Sequence, residues 1–385
     1  MKNHITVLFI AHTNDMSGSS HSLFQLMMEL RKDYGIKPLL LVQKSFLRRS
    51  DYSLKNICEQ HNIDCYSFYF FWFKYRQGFL GLLKCLSNLL WYPYIFLKLH
   101  KIEIDIIHSN SSVIDLGVWL SRIKKKPHVW HFREFGYLDF RLKSVLGNSY
   151  ERYLYSIGGT FICISDAVKR CYQSKIIMDS IRLIYNGIAV PPDSQLTCHS
   201  SKTINLCMVG RISQAKNQLL ALQGINYAIK YFNINYIHLY FIGFEEPDYV
   251  DQLKKYISEN KINDYVTFVG ESRDVPNLLS KMDIGLMLSR KEAFGRVTVE
   301  YMMHNLAVIA VDTGANPEII SNNVDGFLVK AGDYKAIAEK IRLLSVDKNL
   351  LGIMSNRGRE KAQKQFSSKI NTEKIHNLYM ELLSK

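Results

Sequence analysis

Two glutamates eight residues apart flank a glycine in the stretch "SRKEAFGRVTVEYM", which runs from Ser289 to Met302. The apolar run "IGLMLS" before it predicts a buried strand, so Glu292 falls in the loop beyond the carboxyl end of that strand. Gly295 allows a ligand to approach the backbone, and a helix is predicted to begin near Arg296 with its N–H groups facing the same crevice. This pattern predicts a phosphate site, with Glu300 on the hydroxyls of a ribose and Glu292 on those of a sugar beyond the phosphates. The alternative is that both acidic residues only complement the helix dipole.

A second cluster follows another predicted strand, in "CMVGRISQAKNQ". The strand ends at Gly210, and Arg211 and Lys216 then stand at the entry to a helix. Two cations at the carboxyl end of a strand could clamp a diphosphate, the arginine through two hydrogen bonds and the lysine as a point charge. The alternative is a pair of surface cations.

Short apolar runs alternate with amphipathic ones along the whole chain. The apolar runs are "TVLFIA", "PLLLVQ", "IDIIHS", "HVWHF", "TFICIS" and "IRLIYN" in the first half, and "INLCMVG", "IHLYFIG", "VTFVG", "IGLMLS" and "AVIAV" in the second. Continuous apolar strands between helices indicate parallel sheets covered on both faces, and two such series indicate two doubly wound α/β domains. The proline-containing stretch "AVPPDSQLTCHSSKT" suits a linker between them. We predict domains at 1–190 and 203–365, a linker at 191–202, and a terminal helix at 366–385 that could pack back on the first domain.

The chain has 385 residues and a net charge of +14. The first 200 residues carry 25 Lys and Arg against 15 Asp and Glu, whereas the remainder carries a net charge of only +4. The first half should therefore prefer an anionic partner. The seven cysteines show no metal-ligand spacing, which indicates a reducing compartment without structural zinc. The N-terminal apolar stretch is too short for a signal peptide, so we expect a cytoplasmic enzyme.

The stretch from Cys65 to His100 is crowded with aromatic and leucine residues between scattered lysines and arginines. One interpretation is a strand followed by a core helix. The other is a surface that enters the membrane interface through residues such as Trp72, Phe73 and Trp91, since aromatic side chains beside basic ones suit the headgroup level. Basic clusters at 48–49 and 124–126 favour an anionic membrane surface, although each alone could be a solvated face.

Three motifs in this order, "VGRISQAKNQ", "KEAFGRVTVEYMM" and "DTGANPEII", resemble those of the retaining glycosyltransferases of family 4. The glutamate pair with seven residues between is a hallmark of that family, and "YNGI" just before the linker is similar to the end of its N-terminal domain. The resemblance implies the GT-B fold, in which two Rossmann-like domains face each other across a cleft. It covers the C-terminal half through its motifs and the N-terminal half through its layout.

The resemblance implies a nucleotide-sugar site on the C-terminal domain. Arg211 and Lys216 would hold the donor diphosphate and assist catalysis, Glu300 would bind the ribose, and Glu292 would contact the donor sugar as a catalytic residue. "FVGESRDV" would receive the nucleobase. The remaining implied donor contacts are Gly243, Gly270, Arg273, Phe294, Gly295, Arg296 and Val297, those of the last four through backbone amides. Arg273 could equally be a surface cation.

Two stretches of the N-terminal half match the family at strand ends. "HTNDMSGSSHS" stands where members often carry a Gly-Gly pair, so Gly18 matches and Ser19 departs from the pattern but still offers a hydroxyl and an N–H to phosphate. In "HVWHFREFG", His131 matches a histidine near the donor sugar, where it would orient the donor or acceptor. We expect Arg133 and Glu134 beside it to face the cleft, although Glu134 could instead pair with Arg133. We expect His128 to be packed.

The resemblance implies transfer of a sugar, with retention at the anomeric carbon, from a nucleotide diphosphate (UDP rather than GDP) to a hydroxyl of a saccharide. No DxD triplet occurs in the chain, so we expect neither a metal nor another cofactor to be needed. The basic, aromatic first half favours an acceptor carried on polyprenyl diphosphate in bacterial capsule, O-antigen or exopolysaccharide assembly. The enzyme would then be peripheral at the inner face of the plasma membrane.

Other functions fit less well. A catalytically inactive GT-B partner subunit would be expected to lack Glu292 or Lys216, and both are present. An epimerase or a phosphorylase could share the fold, but the lysine motif of the cofactor-bearing phosphorylases is missing. A Rossmann dehydrogenase would need GxGxxG after the first strand. Nucleic-acid binding is compatible with the charge, but no recognised module occurs, so we expect no nucleic-acid partner.

Overall fold

A computed structural model describes residues 4–44, 52–75, 78–197 and 202–385. The predicted basic cluster at 48–49 and part of the predicted linker lie outside the described residues. The chain forms two compact units. The first comprises Met1–Gly187 together with Ser368–Lys385, and the second comprises Ile188–Ser367.

The first unit is built on a parallel sheet of seven strands, with the strand order β3-β2-β1-β5-β6-β8-β9. Two further short strands, β4 and β7, pair antiparallel. The strands are β1 (Thr6–Ala11), β2 (Lys37–Gln43), β3 (Asp64–Phe68), β4 (Lys74–Tyr75), β5 (Ile106–Ser109), β6 (His128–Phe132), β7 (Lys143–Ser144), β8 (Thr160–Cys163) and β9 (Ile181–Leu183). The helices are α1 (Gly18–Tyr34), α2 (Leu54–Gln60), α3 (Phe79–Leu99), α4 (Leu116–Lys124), α5 (Tyr137–Phe140), α6 (Gly147–Ile157) and α7 (Asp166–Tyr172).

Both faces of this sheet are covered, as continuous apolar strands require. Alternate residues of β1 enter two different cores: Val7 and Phe9 pack on one face, and Leu8 and Ile10 pack on the other. The last helix of the chain, Ser368–Leu383, contributes Ile375 and other side chains to the first of these cores.

The second unit is a parallel sheet of six strands, with the order β12-β11-β10-β13-β14-β15 and one core cluster that involves helices on both faces. Its strands are β10 (Ile204–Val209), β11 (Ile237–Ile242), β12 (Val266–Gly270), β13 (Ile284–Met287), β14 (Ala307–Val311) and β15 (Phe327–Val329). Its helices are α8 (Gln218–Phe232), α9 (Pro247–Asn260), α10 (Val275–Leu279), α11 (Arg296–Met303), α12 (Asn316–Ile319), α13 (Tyr334–Val346) and α14 (Lys348–Phe366), and the helix Ser368–Leu383 of the first unit is α15. The predicted α/β class, with two doubly wound units, is confirmed.

Helix α3 departs from the core-helix interpretation of the aromatic stretch, whereas the membrane-surface interpretation stays a prediction. One face packs on the first unit through Asn88, whose side chain bonds to the backbone of Phe71, and through Tyr92, whose hydroxyl donates to Asp115. The opposite face exposes large apolar side chains: Phe79, Leu80, Leu83, Leu86, Leu89, Leu90, Tyr94 and Leu97. The core-helix interpretation is therefore wrong for half of the helix.

Of the described helices, α3 alone is long and apolar enough to cross a membrane by length and composition. Two of the three aromatic residues expected to contact a membrane are held by the first unit, because Phe73 is fully buried and Trp72 donates its indole N–H to the carbonyl of His12. The third, Trp91, is half-buried on α3 itself. The exposed apolar residues lie instead along α3 itself.

Candidate active site

Lys216 and Glu292 form an ion pair at the carboxyl edge of the second sheet. Nζ of Lys216 lies 3.0 Å from Oε2 of Glu292, and the two side chains are 35% and 18% exposed. Lys216 lies in the connection between β10 and α8, and Glu292 lies between β13 and α11. Because β10 and β13 are neighbours in the sheet, the loops after them meet at one edge. The structure thus brings together two residues that the sequence assigned to one site.

The turn after β14 holds the backbone of Glu292 in place. The N–H of Ala315 donates to the carbonyl oxygen of Glu292 at 2.9 Å. Gly314 has φ +60°, and a Cβ there would lie 2.2 Å from the same oxygen. A glycine is therefore required both by the backbone conformation and by the close approach. The "DTGAN" turn fixes the loop that carries the predicted sugar-binding glutamate.

Helix α11 begins at Arg296, as the sequence predicted. Gly295 precedes it with φ +82°, and no side chain caps the helix. The first turn of an α-helix presents N–H groups that have no acceptor within the helix and carries the positive end of the dipole. Phe294 points its ring into the core, 5.9 Å from the ring of Phe366, so only its backbone remains for the role predicted for it.

Glycines also close the edge formed by β10, β11 and β12. Gly243 has φ +144°, and a Cβ there would lie 2.2 Å from the carbonyl oxygen of Gly210. The N–H of Gly243 in turn donates to the carbonyl of Gly270 at 2.8 Å. Gly243 and Gly270, both predicted to contact the donor, are therefore backbone positions where the ends of the strands lie close together.

Two of the three predicted arginine contacts, Arg211 and Arg273, have exposed side chains. Arg211 has a 65% exposed side chain, 3.6 Å from the carboxylate of Glu246 and 5.9 Å from the ring centroid of Phe244. Arg273 is exposed in the loop after β12. Both remain proposed contacts rather than observed members of the Lys216–Glu292 pair.

Glu300 and Arg296 line a separate cavity of about 290 Å³ in the second unit. Nε of Arg296 donates to Oε1 of Glu300 at 2.8 Å, an i, i+4 pair on α11. Val297 beside them is half-buried, and its predicted role is through its backbone amide. The other lining residues are Ile188, Ala189, Val190, Pro191, Pro192, Gln195, Val275, Pro276, Leu279 and His304. A carboxylate beside apolar walls suits a ribose and a flat base.

His304 is a cavity residue that the sequence analysis did not single out. Its Nδ1 lies 2.8 Å from the carbonyl oxygen of Glu300, so the proton is on Nδ1 and Nε2 is an acceptor. Nε2 is buried and has no hydrogen-bond partner among the described residues. Burial lowers the pKa of this imidazole below 6.5, although the carbonyl of Glu300 opposes the shift.

In the first unit, Gly18 opens α1 at the carboxyl end of β1. The hydroxyl of Ser19 lies 2.9 Å from that of Ser17, the N-terminal cap residue. The side-chain amide of Asn110, which follows β5, donates to the backbone carbonyl of Ser19 at 3.3 Å. The predicted phosphate contact at this helix start is thus tied to the next strand of the sheet.

His131 is fully buried near the end of β6. Its Nδ1 contacts Nε2 of His108 at 3.1 Å, and Nε2 has no partner among the described residues. Burial first, and then the positive charge of Arg133, holds the pKa of His131 well below 6.5. Arg133 is itself 8% exposed and donates to the side chains of Asn110 and Asn186.

The expectation that His128 is packed is confirmed. Its ring is buried between the carbonyl of Gly158 and the hydroxyl of Ser109, and burial lowers its pKa to about 4. Glu134 is 9% exposed and accepts hydrogen bonds from the hydroxyl of Ser111 and the N–H of Ser112, so it is held within the unit.

Comparison with known proteins decides the family. A family model described as "Glycosyl transferases group 1" matches residues 197–363, and one described as "Glycosyltransferase Family 4" matches residues 73–190. The chain belongs to the glycosyltransferases. Its fold is GT-B: it is similar over 98% of its length to all of Anabaena Alr3699/HepE, solved in complex with UDP, with a TM-score of 0.79 and 20% identity.

Two curated relatives cover different shares of this glycosyltransferase. The N-acetyl-alpha-D-glucosaminyl L-malate synthase of Bacillus anthracis is 34% identical over 122 residues, which is 32% of each chain. The UDP-Gal:alpha-D-GlcNAc-diphosphoundecaprenol alpha-1,3-galactosyltransferase of Escherichia coli is 24% identical over 321 residues, 79% of this chain and 81% of the relative. The chain thus spans about a third of the length of the first relative and most of the second. Lys216 and Glu292 fall in one matched region of the glycosyltransferase, and His131 falls in the other.

Proposed function

We propose that this glycosyltransferase moves a hexosyl group from a UDP-sugar to a hydroxyl of a lipid-linked saccharide during bacterial cell-surface polysaccharide synthesis. The choice of UDP is supported by the Anabaena neighbour, solved with UDP and with UDP-glucose, and by the E. coli relative, named for a UDP-galactose donor. The same relative is named for a diphosphoundecaprenol acceptor, and a Staphylococcus aureus relative is named for capsular polysaccharide biosynthesis.

The observation that carries the proposal is the Lys216–Glu292 pair next to the glycine-led start of α11. A diphosphate placed there would receive the ammonium of Lys216 and the N–H groups of the first helical turn. Glu292 would then exchange its contact with Lys216 for the hydroxyls of the sugar beyond the phosphates. The ion pair thus keeps both groups in position before the donor binds.

The charge that develops during transfer resides on the departing diphosphate. A fixed cation and a helix N-terminus aimed at that charge stabilise the transition state more than the ground state. We propose that these groups, with Arg211, supply enough positive charge for the reaction to proceed without a metal ion. We further propose retention at the anomeric carbon, with a departing phosphate oxygen taking the proton of the acceptor hydroxyl.

Thermal-shift screening with a panel of nucleotide sugars, followed by turnover assays with and without EDTA, tests this function. We expect stabilisation by UDP and UDP-hexoses, unchanged turnover in EDTA, and a product with the donor's anomeric configuration by NMR. Glu292→Gln should keep UDP binding and lose turnover. Glu259→Gln, which removes the carboxylate of an exposed ion pair with Lys255, is the matched control. Firm UDP binding without turnover on any lipid-linked acceptor would favour an inactive partner subunit.

We also propose that the exposed face of α3 docks on an anionic membrane. We call this face, formed by Phe79, Leu80, Leu83, Leu86, Leu89, Leu90, Tyr94 and Leu97, the α3 apolar face. Leu90 is 79% and Leu97 75% exposed, an unusual density of apolar area for a surface in contact with water. Lys84 and Lys98 lie on the same helix, and the first 200 residues carry a net charge of +10. Apolar residues with flanking cations match the interface of an anionic bilayer.

Co-sedimentation with vesicles of phosphatidylglycerol and phosphatidylcholine tests the docking. The double variant Leu90→Ser, Leu97→Ser should bind the vesicles at least tenfold more weakly. Full burial of a leucine side chain contributes roughly 1.5–3 kcal/mol of binding free energy, and serine does not replace that contribution. Val346→Ser changes a comparably exposed apolar residue of the second unit, at 67%, and should leave binding unchanged. Equal sedimentation of all three proteins would refute membrane docking without touching the transferase proposal.

A further inference from the structure

Four buried side chains of the first unit form a continuous chain of polar contacts. The phenol oxygen of Tyr379, on α15, lies 2.6 Å from Nδ1 of His108. Nε2 of His108 lies 3.1 Å from Nδ1 of His131, and Nη2 of Arg133 lies 3.4 Å from that same Nδ1. None of the four residues is more than 8% exposed. Each contact needs one donor and one acceptor, so the protons along the chain must follow one direction.

Arg133 sets the direction at one end. A guanidinium has only N–H groups and no acceptor, so Nδ1 of His131 must present its lone pair. His108 must then donate from Nε2. Its own Nδ1, left without a proton in the neutral ring, must accept from the hydroxyl of Tyr379.

Tyr379 requires the same direction from the other end. Its hydroxyl is buried, and burial raises the pKa of this phenol well above 10, so it keeps its proton. If the oxygen accepted from His108, that proton would have no acceptor among the described residues, which is costly inside a protein. Both ends of the chain therefore agree on one pattern of protons.

We propose that Tyr379 and His108 are positioning residues that hold His131 neutral with its proton on Nε2, so that His131 serves as a hydrogen-bond donor to a substrate oxygen. Nε2 of His131 is buried with no partner among the described residues, and His131 lies at the carboxyl end of β6, where parallel sheets bind ligands. A substrate oxygen that reaches this nitrogen would complete that bond.

This role differs from general-base catalysis. A base needs a lone pair that points toward the substrate. The hydrogen bonds from Tyr379 through His108 place the lone pair of His131 toward His108 instead. As the bond from the anomeric carbon to the diphosphate breaks and the bond to the acceptor oxygen forms, the acceptor proton must go elsewhere. The departing phosphate oxygen is the group that the proposed function already supplies, and in this respect the inference rests on that function.

Nitrogen NMR of protein labelled with ¹⁵N-histidine reads the tautomer directly and needs no substrate. We expect His131, assigned by the loss of its signals in His131→Gln, to show a protonated Nε2 and an unprotonated Nδ1 from pH 6 to pH 8. Among the described residues, the titratable and charged groups that act on His108 and His131 are Arg133, which contacts His131, Tyr379, which contacts His108, and His128, whose charge lowers the pKa of His108. A proton on Nδ1, or a charged imidazolium in that pH range, would overturn the proposal.

Kinetics test the positioning. Tyr379→Phe should lower kcat roughly 3- to 10-fold, as the loss of one hydrogen bond predicts, with the KM for the nucleotide sugar within twofold of wild type. His108→Gln can still donate to His131 and should retain more kcat than His108→Leu. Tyr256→Phe removes a hydroxyl bonded to Asn226 in the second unit and is the control.

Unchanged kcat and unchanged histidine spectra in Tyr379→Phe would overturn the proposal. If no nucleotide sugar were turned over, the proposed function would fail, and the NMR tautomer of His131 would still decide this inference. The two failures are therefore distinguishable.

Discussion

Replacing Lys216 by methionine removes one positive charge and keeps most of the side-chain length. Lys216 now pairs with Glu292 at 3.0 Å and would turn to the diphosphate when the donor binds. A hydrogen bond to a charged group contributes about 1.5–3 kcal/mol, and each 1.36 kcal/mol is a tenfold change in rate. We therefore expect kcat/KM to fall roughly 10- to 150-fold, mainly through kcat, because the charge on the diphosphate grows in the transition state.

Stability should change far less than activity. The two side chains are 35% and 18% exposed, so solvent screens the pair and limits its contribution to the free energy of unfolding to about 1 kcal/mol or less. For a unit of this size the melting temperature should fall by less than about 4 °C. Lys255→Met removes the ion pair between Lys255, which is 76% exposed, and Glu259. This control should change neither kcat/KM nor the melting temperature.

The double variant Lys216→Met, Glu292→Gln separates the two roles. With Lys216 absent, Glu292 faces the diphosphate as an uncompensated anion, so the effects of the two substitutions should not add. Calorimetry with UDP, steady-state kinetics and thermal unfolding provide the three measurements. Lys216→Met with kcat/KM within threefold of wild type would refute the placement of the diphosphate at this pair.

Three further predictions concern the second unit's loop, its cavity and the buried imidazole of the first unit. Glu300→Ala should raise the Kd for UDP about tenfold by calorimetry and leave Tm nearly unchanged, because the carboxylate lines the cavity proposed for the ribose; an unchanged Kd would contradict this. Gly314→Ala should lower the free energy of unfolding in urea by about 1–3 kcal/mol or more, since φ is +60° and a Cβ would meet the Glu292 carbonyl. Gly352→Ala on α14, where nothing lies within 4 Å of the added Cβ, should instead raise it by about 0.5–1 kcal/mol. Burial lowers the pKa of His128 to about 4, so the unfolded state binds more protons than the folded state between pH 6.5 and pH 4, and the free energy of unfolding should fall as pH drops through that window. His128→Gln should flatten this pH dependence in urea titrations. The same slope of unfolding free energy against pH in the variant and the wild type would contradict the prediction.

The parts of the fold that follow from local pattern were predictable. "HVWHF" is β6 residue for residue, and α11 begins at Arg296 as expected. Buried parallel strands need continuous apolar residues and the helices beside them need one apolar face, so the sequence carries both signals within a few residues. The Lys216–Glu292 pair was predictable for a related reason: both residues follow strands, and the carboxyl ends of neighbouring parallel strands share one edge.

Composition could not decide which side of α3 is buried. Leu and aromatic residues occur on both faces of that helix, so no polar stripe separates them. The side that packs is set by partners elsewhere in the first unit, including Asp115 and the backbone of Phe71. The apolar face left outside is therefore a property of the tertiary structure.

The sequence by itself determined two parallel α/β units and the residue types of the loops after β10 and β13, because strand period, glycine placement and motif spacing act over short distances. Only the tertiary structure brought Tyr379 to His108, across 271 residues of sequence, and aligned His108 with His131. A tyrosine on an amphipathic helix has the pattern of any core residue. Tyr379 can act as the first donor in the series of buried hydrogen bonds only because α15 packs against the same sheet that carries both histidines.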